Sequence, residues 1–272
     1  MRRSAPAIAF LAIAALGAQA HAQMYSPATP VPRTTSAPEL RALAERREIV
    51  ERFHLGIAAE QRRDWQSAVA EFERILALNP VEPQNSTARY DLAIAYANIN
   101  RLDDAAIQFQ QAIARDPAFL AAMANLVAVD LERGNLKDAR RTADRFVALA
   151  PASARALYER GLVALHSGDL QTARNDFSQL LNANPAYSVA HYDLGLADER
   201  ANRYDSAARE FQIALDLAPG YARARFALAT ILLREGKRGE AKAAFDRVAS
   251  DASDDPLLRN LAISMRDSIK TR

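Results

Sequence analysis

The chain has 272 residues and no cysteine, which excludes disulfides, thiolate metal sites and a cysteine nucleophile. Apolar residues make up 50% of it and charged residues 25%, unlike the composition of a disordered chain. It contains 59 alanines and only 9 glycines. Because alanine is the strongest helix former, this balance favours an all-α fold over a β-sandwich or barrel.

The first 22 residues have the pattern of a secretory signal peptide. Two arginines precede an apolar run over 7–18, which is too short to cross a membrane, and small residues at Ala20 and Ala22 fit a cleavage site. We expect export by the general secretion route. Cleavage is expected after Ala22, and cleavage after Ala20 is the alternative. Removing two arginines from 35 basic residues leaves 33 against 33 acidic ones. This balance gives no indication of nucleic-acid binding.

A proline-rich segment over 23–38 follows and is predicted to be an extended linker, because it has almost no apolar residues with which to pack. Ser36 and Glu39 then have the spacing of a capping box. The sequence therefore predicts a helix that begins near residue 37 and continues to about Arg62.

The rest of the chain repeats with a period of 34 residues, after one interval of 37. An alanine followed four positions later by phenylalanine recurs at Ala68/Phe72, Ala105/Phe109, Ala173/Phe177, Ala207/Phe211 and Ala241/Phe245. A proline follows eight residues later at Pro80, Pro117, Pro151, Pro185 and Pro219. A glycine or asparagine precedes the alanine by five residues at Asn100, Gly134, Gly168, Asn202 and Gly236. This pattern predicts a helix–turn–helix unit that cannot bury its apolar face alone.

Each recurring residue has a physical reason. Glycine and asparagine tolerate the left-handed conformation that ends a helix. Small residues upstream, such as Gly161 and Gly195, let two helices approach closely, and the phenylalanines fill the space between hairpins. Proline is tolerated at the first helical position. Three polar residues directly precede a proline and are predicted N-caps: Asp116, Asn184 and Asp255.

The phased pattern resembles the tetratricopeptide repeat (TPR) family, whose 34-residue unit carries Leu-Gly, Tyr, Ala-x3-Phe and Pro at fixed offsets. The resemblance implies an all-α solenoid, wound as a right-handed superhelix. Six repeats are expected within an array over 39–255, starting near residues 49, 86, 120, 154, 188 and 222. A helix over 256–270, within the terminal segment 256–272, is the expected cap with a polar outer face. The helix from Glu39 is the expected cap at the other end.

No pattern in the sequence indicates catalysis or cofactor binding. There is no nucleophile-elbow motif or phosphate-binding glycine loop, and the histidines His54, His166 and His191 lack metal-ligand spacing. We therefore expect no catalytic, cofactor or metal site, and we do not expect the protein to be an enzyme. The excess of 31 arginines over 4 lysines fits either carboxylate and phosphate recognition or solvated helix faces.

The resemblance also implies a binding surface. In this family the first helix of each repeat lines a concave groove that holds a peptide or helix of a partner. The fifth and ninth repeat positions of this chain are largely aromatic and aliphatic. They give the candidate protein-binding residues Phe53, Tyr90, Ile94, Tyr158, Leu162, Tyr192, Leu196 and Phe226. The alternative for each is half-buried packing.

The function expected from the sequence is an exported scaffold or adaptor of the bacterial cell envelope, located in the periplasm or secreted. Its partner is a protein whose identity the sequence does not give; nucleic acid is not expected, nor a transmembrane segment after signal cleavage. One alternative is a self-assembling structural protein, in which the helix over 39–62 or 256–270 packs on a second copy. Another is a regulatory subunit of an envelope biosynthesis complex.

Overall fold

The computed structural model describes residues 36–252 and 254–269, so the predicted signal peptide and nearly all of the predicted linker lie outside it. The described residues form thirteen α-helices and no strand, which confirms the predicted all-α class. The helices are α1 Ala37–Gln61, α2 Trp65–Ala77, α3 Gln84–Asn98, α4 Leu102–Arg115, α5 Leu120–Glu132, α6 Leu136–Leu149, α7 Ala154–Ser167, α8 Leu170–Ala183, α9 Ser188–Arg200, α10 Tyr204–Leu217, α11 Ala222–Arg234, α12 Arg238–Asp251 and α13 Pro256–Ser268.

The chain divides into two compact units, with the boundary inside α6 between Thr142 and Ala143. In the first unit, α1 packs with α2 and α3 packs with α4. In the second unit the packed pairs are α7 with α8, α9 with α10, and α11 with α12, and α13 packs on α12. Helix α1 opens at a capping box, in which Glu39 Oε2 accepts a hydrogen bond from the Ser36 backbone N–H at 2.6 Å.

The hairpin turns have the predicted left-handed residue. The backbone φ is positive at Asn100 (62°), Gly134 (72°), Gly168 (82°), Asn202 (60°) and Gly236 (79°), which confirms the turn assignment. The first repeat uses Arg63 at the equivalent position, with φ 59°. The sequence pattern missed this turn because arginine carries no turn signal.

The predicted N-caps are right in one case and wrong in two. Asp255 accepts a hydrogen bond from the Leu258 N–H at 3.1 Å and caps α13. Asp116 and Asn184 instead end α4 and α8, because the following helices begin four residues later. Four repeat prolines lie in turns and not at the predicted first helical position: Pro117, Pro151, Pro185 and Pro219.

The repeated phenylalanines form the centre of five of the six hairpins. Phe72, Phe109, Phe177, Phe211 and Phe245 are completely buried. A Cβ added at Gly195 would lie 2.5 Å from Phe211 Cε1, and one at Gly161 would lie 2.6 Å from Phe177 Cε1. The predicted close approach of helices at these glycines is therefore present.

The two ends of the described chain differ from the expected caps. Nearly all of the first eleven residues of α1 are exposed, so this segment covers no repeat. Helix α13 packs its Leu258, Ala262 and Met265 on the cluster around Phe245. Its other side is not purely polar, since Leu257 is 72% exposed and Leu261 50%.

Candidate functional site: the first-helix face

The first-helix face is the side of a unit formed by the first helices of its hairpins. In the second unit it consists of α7, α9 and α11. Helices α7 and α9 are joined directly, because Arg200 Nη1 donates a hydrogen bond to the Leu165 carbonyl at 2.7 Å. In the first unit, Asn125 of α5 donates a hydrogen bond from Nδ2 to the Tyr90 hydroxyl of α3 at 3.3 Å.

Each fifth-position aromatic ring packs on the buried phenylalanine of its own hairpin. The ring centroids are 6.1 Å apart for Phe53–Phe72, 5.8 Å for Tyr90–Phe109, 6.0 Å for Tyr158–Phe177, 5.7 Å for Tyr192–Phe211 and 5.3 Å for Phe226–Phe245. These rings are therefore part of the helix packing, the alternative that the sequence left open. The contact also explains why the position is aromatic in five hairpins.

The candidate residues differ in how much surface they leave to a partner. Phe53 is fully buried and Tyr90 is 4% exposed, so neither ring lies on an accessible surface. This limits the predicted binding stripe in the first unit to Ile94, which is half-buried. In the second unit all five candidates keep part of their surface exposed: Tyr158, Leu162, Tyr192, Leu196 and Phe226.

A second set of rings, which sequence reasoning missed, lies beside the fifth-position tyrosines. Tyr187 and Tyr221 immediately precede α9 and α11. Their ring centroids lie 5.5 Å from Tyr158 and 5.0 Å from Tyr192, respectively. The sequence does contain a pattern that could have indicated these rings. An aromatic residue follows each fifth-position tyrosine after 29 positions, and Phe119 follows Tyr90 at the same spacing.

The sequence analysis also missed a buried polar residue at the next repeat position. The sixth position is polar and buried in repeats 2 to 5, at Asp91, Asn125, Glu159 and Asp193. Glu159 has a counter-charge within its own helix, because Arg155 Nε lies 2.6 Å from its Oε1. Burial raises the pKa of Glu159, and the neighbouring guanidinium of Arg155 opposes that shift.

Asp193 is held by a hydrogen bond from a tyrosine and not by an ion pair with an arginine. Its Oδ2 accepts a hydrogen bond from the Tyr158 hydroxyl at 2.9 Å, and within the described part of the second unit no cation forms an ion pair with it. Burial raises the pKa of Asp193 to about 7, against the smaller lowering effect of that hydrogen bond. Burial and the Asp193 charge together raise the pKa of Tyr192 to about 12.

Many of the arginines form ion pairs with acidic side chains of the same protein. Arg160 binds Asp176 through two hydrogen bonds of 2.7 Å, a bidentate pair between α7 and α8. Arg174 Nε lies 2.6 Å from Asp198 Oδ1 and joins α8 to α9. Planar guanidinium groups suit such paired contacts better than lysine does. These arginines therefore stabilise the hairpins and are not free for anion recognition.

Over the described ranges, no group of three or more His, Asp or Glu side chains is placed to hold a metal ion. None of the helices in the same ranges combines the length and apolar content that a membrane span requires.

Comparison with known proteins defines the class. Models of the tetratricopeptide repeat match residues 53–118, 126–188 and 199–262. The chain therefore belongs to the tetratricopeptide repeat family. A search of curated proteins found no match to this chain.

Solved structures with the same fold come from several bacteria. A tetratricopeptide repeat protein from Parabacteroides merdae is 18% identical with a TM-score of 0.69, covering 83% of this chain and 94% of that one. PilF of Pseudomonas aeruginosa is 16% identical with a TM-score of 0.65, covering 82% and 99%. MamA from Desulfovibrio magneticus is 18% identical with a TM-score of 0.58, covering 65% and 99%. At these identities the likeness concerns the fold alone.

Family membership supports a general function. Tetratricopeptide repeats are typically non-catalytic modules that bind other proteins, and this chain consists largely of them. It is a protein-interaction scaffold in that sense. The identity of the partner and the surface that binds it are separate questions, because one fold hosts many functions.

Proposed function

We propose that this protein is a non-enzymatic adaptor of the bacterial cell envelope that binds a peptide or helix of a partner protein on the first-helix face of its second unit. The observation that carries the proposal is the partial exposure of apolar and aromatic side chains along α7, α9 and α11. A half-buried ring held by its hairpin is already ordered, so it loses little entropy when a partner packs on it. The signal-peptide pattern of residues 1–22 supports the location in the envelope.

The test uses half-buried residues that a partner would touch and whose side chains form no hydrogen bond inside the unit. Tyr158 is unsuitable, because its hydroxyl is bonded to Asp193 inside the unit. We choose Leu162→Lys and Leu196→Lys, combined in one variant. The matched control is Ile213→Lys on α10, a second helix, where the side chain is 38% exposed.

The parent chain and both variants are cross-linked to envelope extract, after circular dichroism and thermal unfolding have shown that the variants fold. A partner captured by the parent and the Ile213→Lys control, and lost from the Leu162→Lys/Leu196→Lys variant, supports the proposal. Equal capture by all three proteins contradicts binding on this face.

Self-assembly is the second candidate, and α13 is the observation that favours it. Leu257 and Leu261 are four residues apart on one helical face and are both well exposed. Light scattering that gives a mass near two chains for the parent, and near one chain for a Leu257→Glu/Leu261→Glu variant, would support this candidate. A parent that already has the mass of one chain excludes it.

A further inference from the structure

Asp193 is a buried acidic side chain that lacks a counter-charge. It is 7% exposed, lies on α9 in the second unit and accepts its hydrogen bond from a neutral tyrosine hydroxyl. An ionised carboxylate held out of water without a cation is costly to bury. A protein keeps such a group where something else supplies the missing charge, or where the group stays protonated.

Repeat 4 shows how a buried acid at this position can be given a counter-charge. In repeat 4 the acid is Glu159, and Arg155, four residues earlier on the same helix, pairs with it at 2.6 Å. In repeat 5 the residue equivalent to Arg155 is Val189, so Asp193 has no such arginine. In repeat 6 the arginine is present as Arg223 and pairs with Asp255 at 3.4 Å.

Two tyrosine pairs adjoin this carboxylate, because Tyr158 donates a hydrogen bond to it and Tyr192 directly precedes it in the chain. The ring of Tyr158 packs at a tilt on that of Tyr187, and Tyr192 packs likewise on Tyr221, at centroid distances of 5.5 and 5.0 Å. Burial raises the pKa of each of the four hydroxyls and the Asp193 charge adds to that rise, whereas nearby arginines oppose it at all of them but Tyr158. Tyr187 is the most open of them and is 37% exposed.

Aromatic faces beside a carboxylate form the arrangement that binds organic cations, because the negative ring faces and the anion attract the same charge. We infer that Asp193 and its four tyrosines form a subsite for a cationic side chain, lysine or arginine, of the partner that docks on the first-helix face. The partner's cation would form an ion pair with Asp193, as Arg155 does with Glu159. This inference rests on the proposed function and adds the chemistry of one anchor.

The test uses two variants of the 272-residue chain. Asp193→Asn removes the charge and keeps an acceptor for Tyr158, and Asn125 already occupies the same repeat position beside Tyr90. Val189→Arg supplies an internal cation in the place that Arg155 has in repeat 4. The probe is a random dodecapeptide library displayed on phage and selected on the parent chain.

Selected peptides are then synthesised with their lysine or arginine, and again with norleucine in its place. We expect a shared cation flanked by apolar residues, and binding that is about tenfold weaker or more for norleucine, for Asp193→Asn and for Val189→Arg. In a double-mutant cycle, norleucine and Asp193→Asn should be non-additive, because both remove the same contact.

Peptides whose binding to Asp193→Asn and Val189→Arg equals that to the parent would overturn the subsite. If those peptides still lose binding to the Leu162→Lys/Leu196→Lys variant, the proposed function survives without it. A selection on the parent that enriches no peptide would count against both. If Asp193→Asn does not fold, Val189→Arg alone decides, since an internal ion pair should stabilise the unit and block the cation.

Discussion

At the scale of single residues, the hairpin turns depend on one backbone conformation. Five turns have glycine or asparagine in this left-handed conformation, whereas the first turn has Arg63 at φ 59°. A side chain with a Cβ is strained in this left-handed region, and glycine is not. Arg63 is exposed, so its side chain contributes little packing in return.

Replacing Arg63 by glycine should therefore raise the free energy of unfolding by about 0.5 kcal/mol, the relief of strain being partly offset by a more flexible unfolded chain. Urea unfolding followed by circular dichroism measures the change. Gly168→Ala is the matched opposite, at φ 82° with no atom near the new Cβ, and should lose about 1 kcal/mol. A destabilised Arg63→Gly protein would show that the arginine side chain matters more than the turn.

Gly195 tests the close approach of helices at the same scale. A methyl group added there meets Phe211 at 2.5 Å, and the ring has little room to move because it is fully buried. We expect Gly195→Ala to cost about 1–3 kcal/mol by overpacking. Gly220→Ala, where no atom lies within 4 Å of the added Cβ, is the control in the same unfolding experiment and should be nearly neutral. Similar values for both would contradict the crowding argument.

At the scale of elements, α13 is the last helix of the described residues. It is held by packing on α12 and by its N-cap, in which Asp255 accepts from the Leu258 N–H and also pairs with Arg223. Because this helix is buried on one side only, its stability depends on these few local contacts.

Asp255→Ala should therefore lower the stability of the second unit by about 1 kcal/mol, through loss of the cap. Amide hydrogen exchange should show that protection is lost first within α13. Asp255→Asn separates the two roles of the residue, since asparagine is an equally good cap but carries no charge for Arg223. If Asp255→Asn loses as much stability as Asp255→Ala, the ion pair and not the cap is the important contact.

At the scale of the whole molecule, the pH dependence of stability reflects the buried acids of the second unit. Burial raises the pKa of Asp193 from the ordinary 3.8 to about 7 in the folded chain. The folded state thus holds this proton more tightly than the unfolded state does. Stability contributed by protonation is complete below pH 4 and is lost as the pH rises towards 7.

Asp193→Asn cannot ionise, so its unfolding free energy should change less between pH 4 and 8 than that of the parent. We expect Asp193→Asn to be the more stable protein at pH 8, by on the order of 2 kcal/mol, and to lose this advantage near pH 4. Thermal and urea unfolding at several pH values measure this. Parallel curves for the two proteins would mean that Asp193 is ionised when folded.

The sequence by itself determined the helical hairpins, their period and five of the six left-handed turn residues, because helix propensity and turn chemistry act over a few neighbouring residues. It also identified the glycines that admit Phe177 and Phe211. Caps were harder to predict: Asp116 and Asn184 stand next to prolines just as Asp255 does, and only the path of the following turn distinguishes them.

Only the tertiary structure decided which repeated residues remain accessible. Phe53, Tyr90, Tyr158 and Tyr192 share one repeat position, yet two are buried and two are half-open. Their exposure depends on side chains about 30 residues away, as in the contact of Tyr158 with Tyr187. The isolation of Asp193 likewise depends on what the adjacent helices bring to it. Burial and charge pairing are set by neighbours in space, and a periodic sequence makes those neighbours similar but not identical.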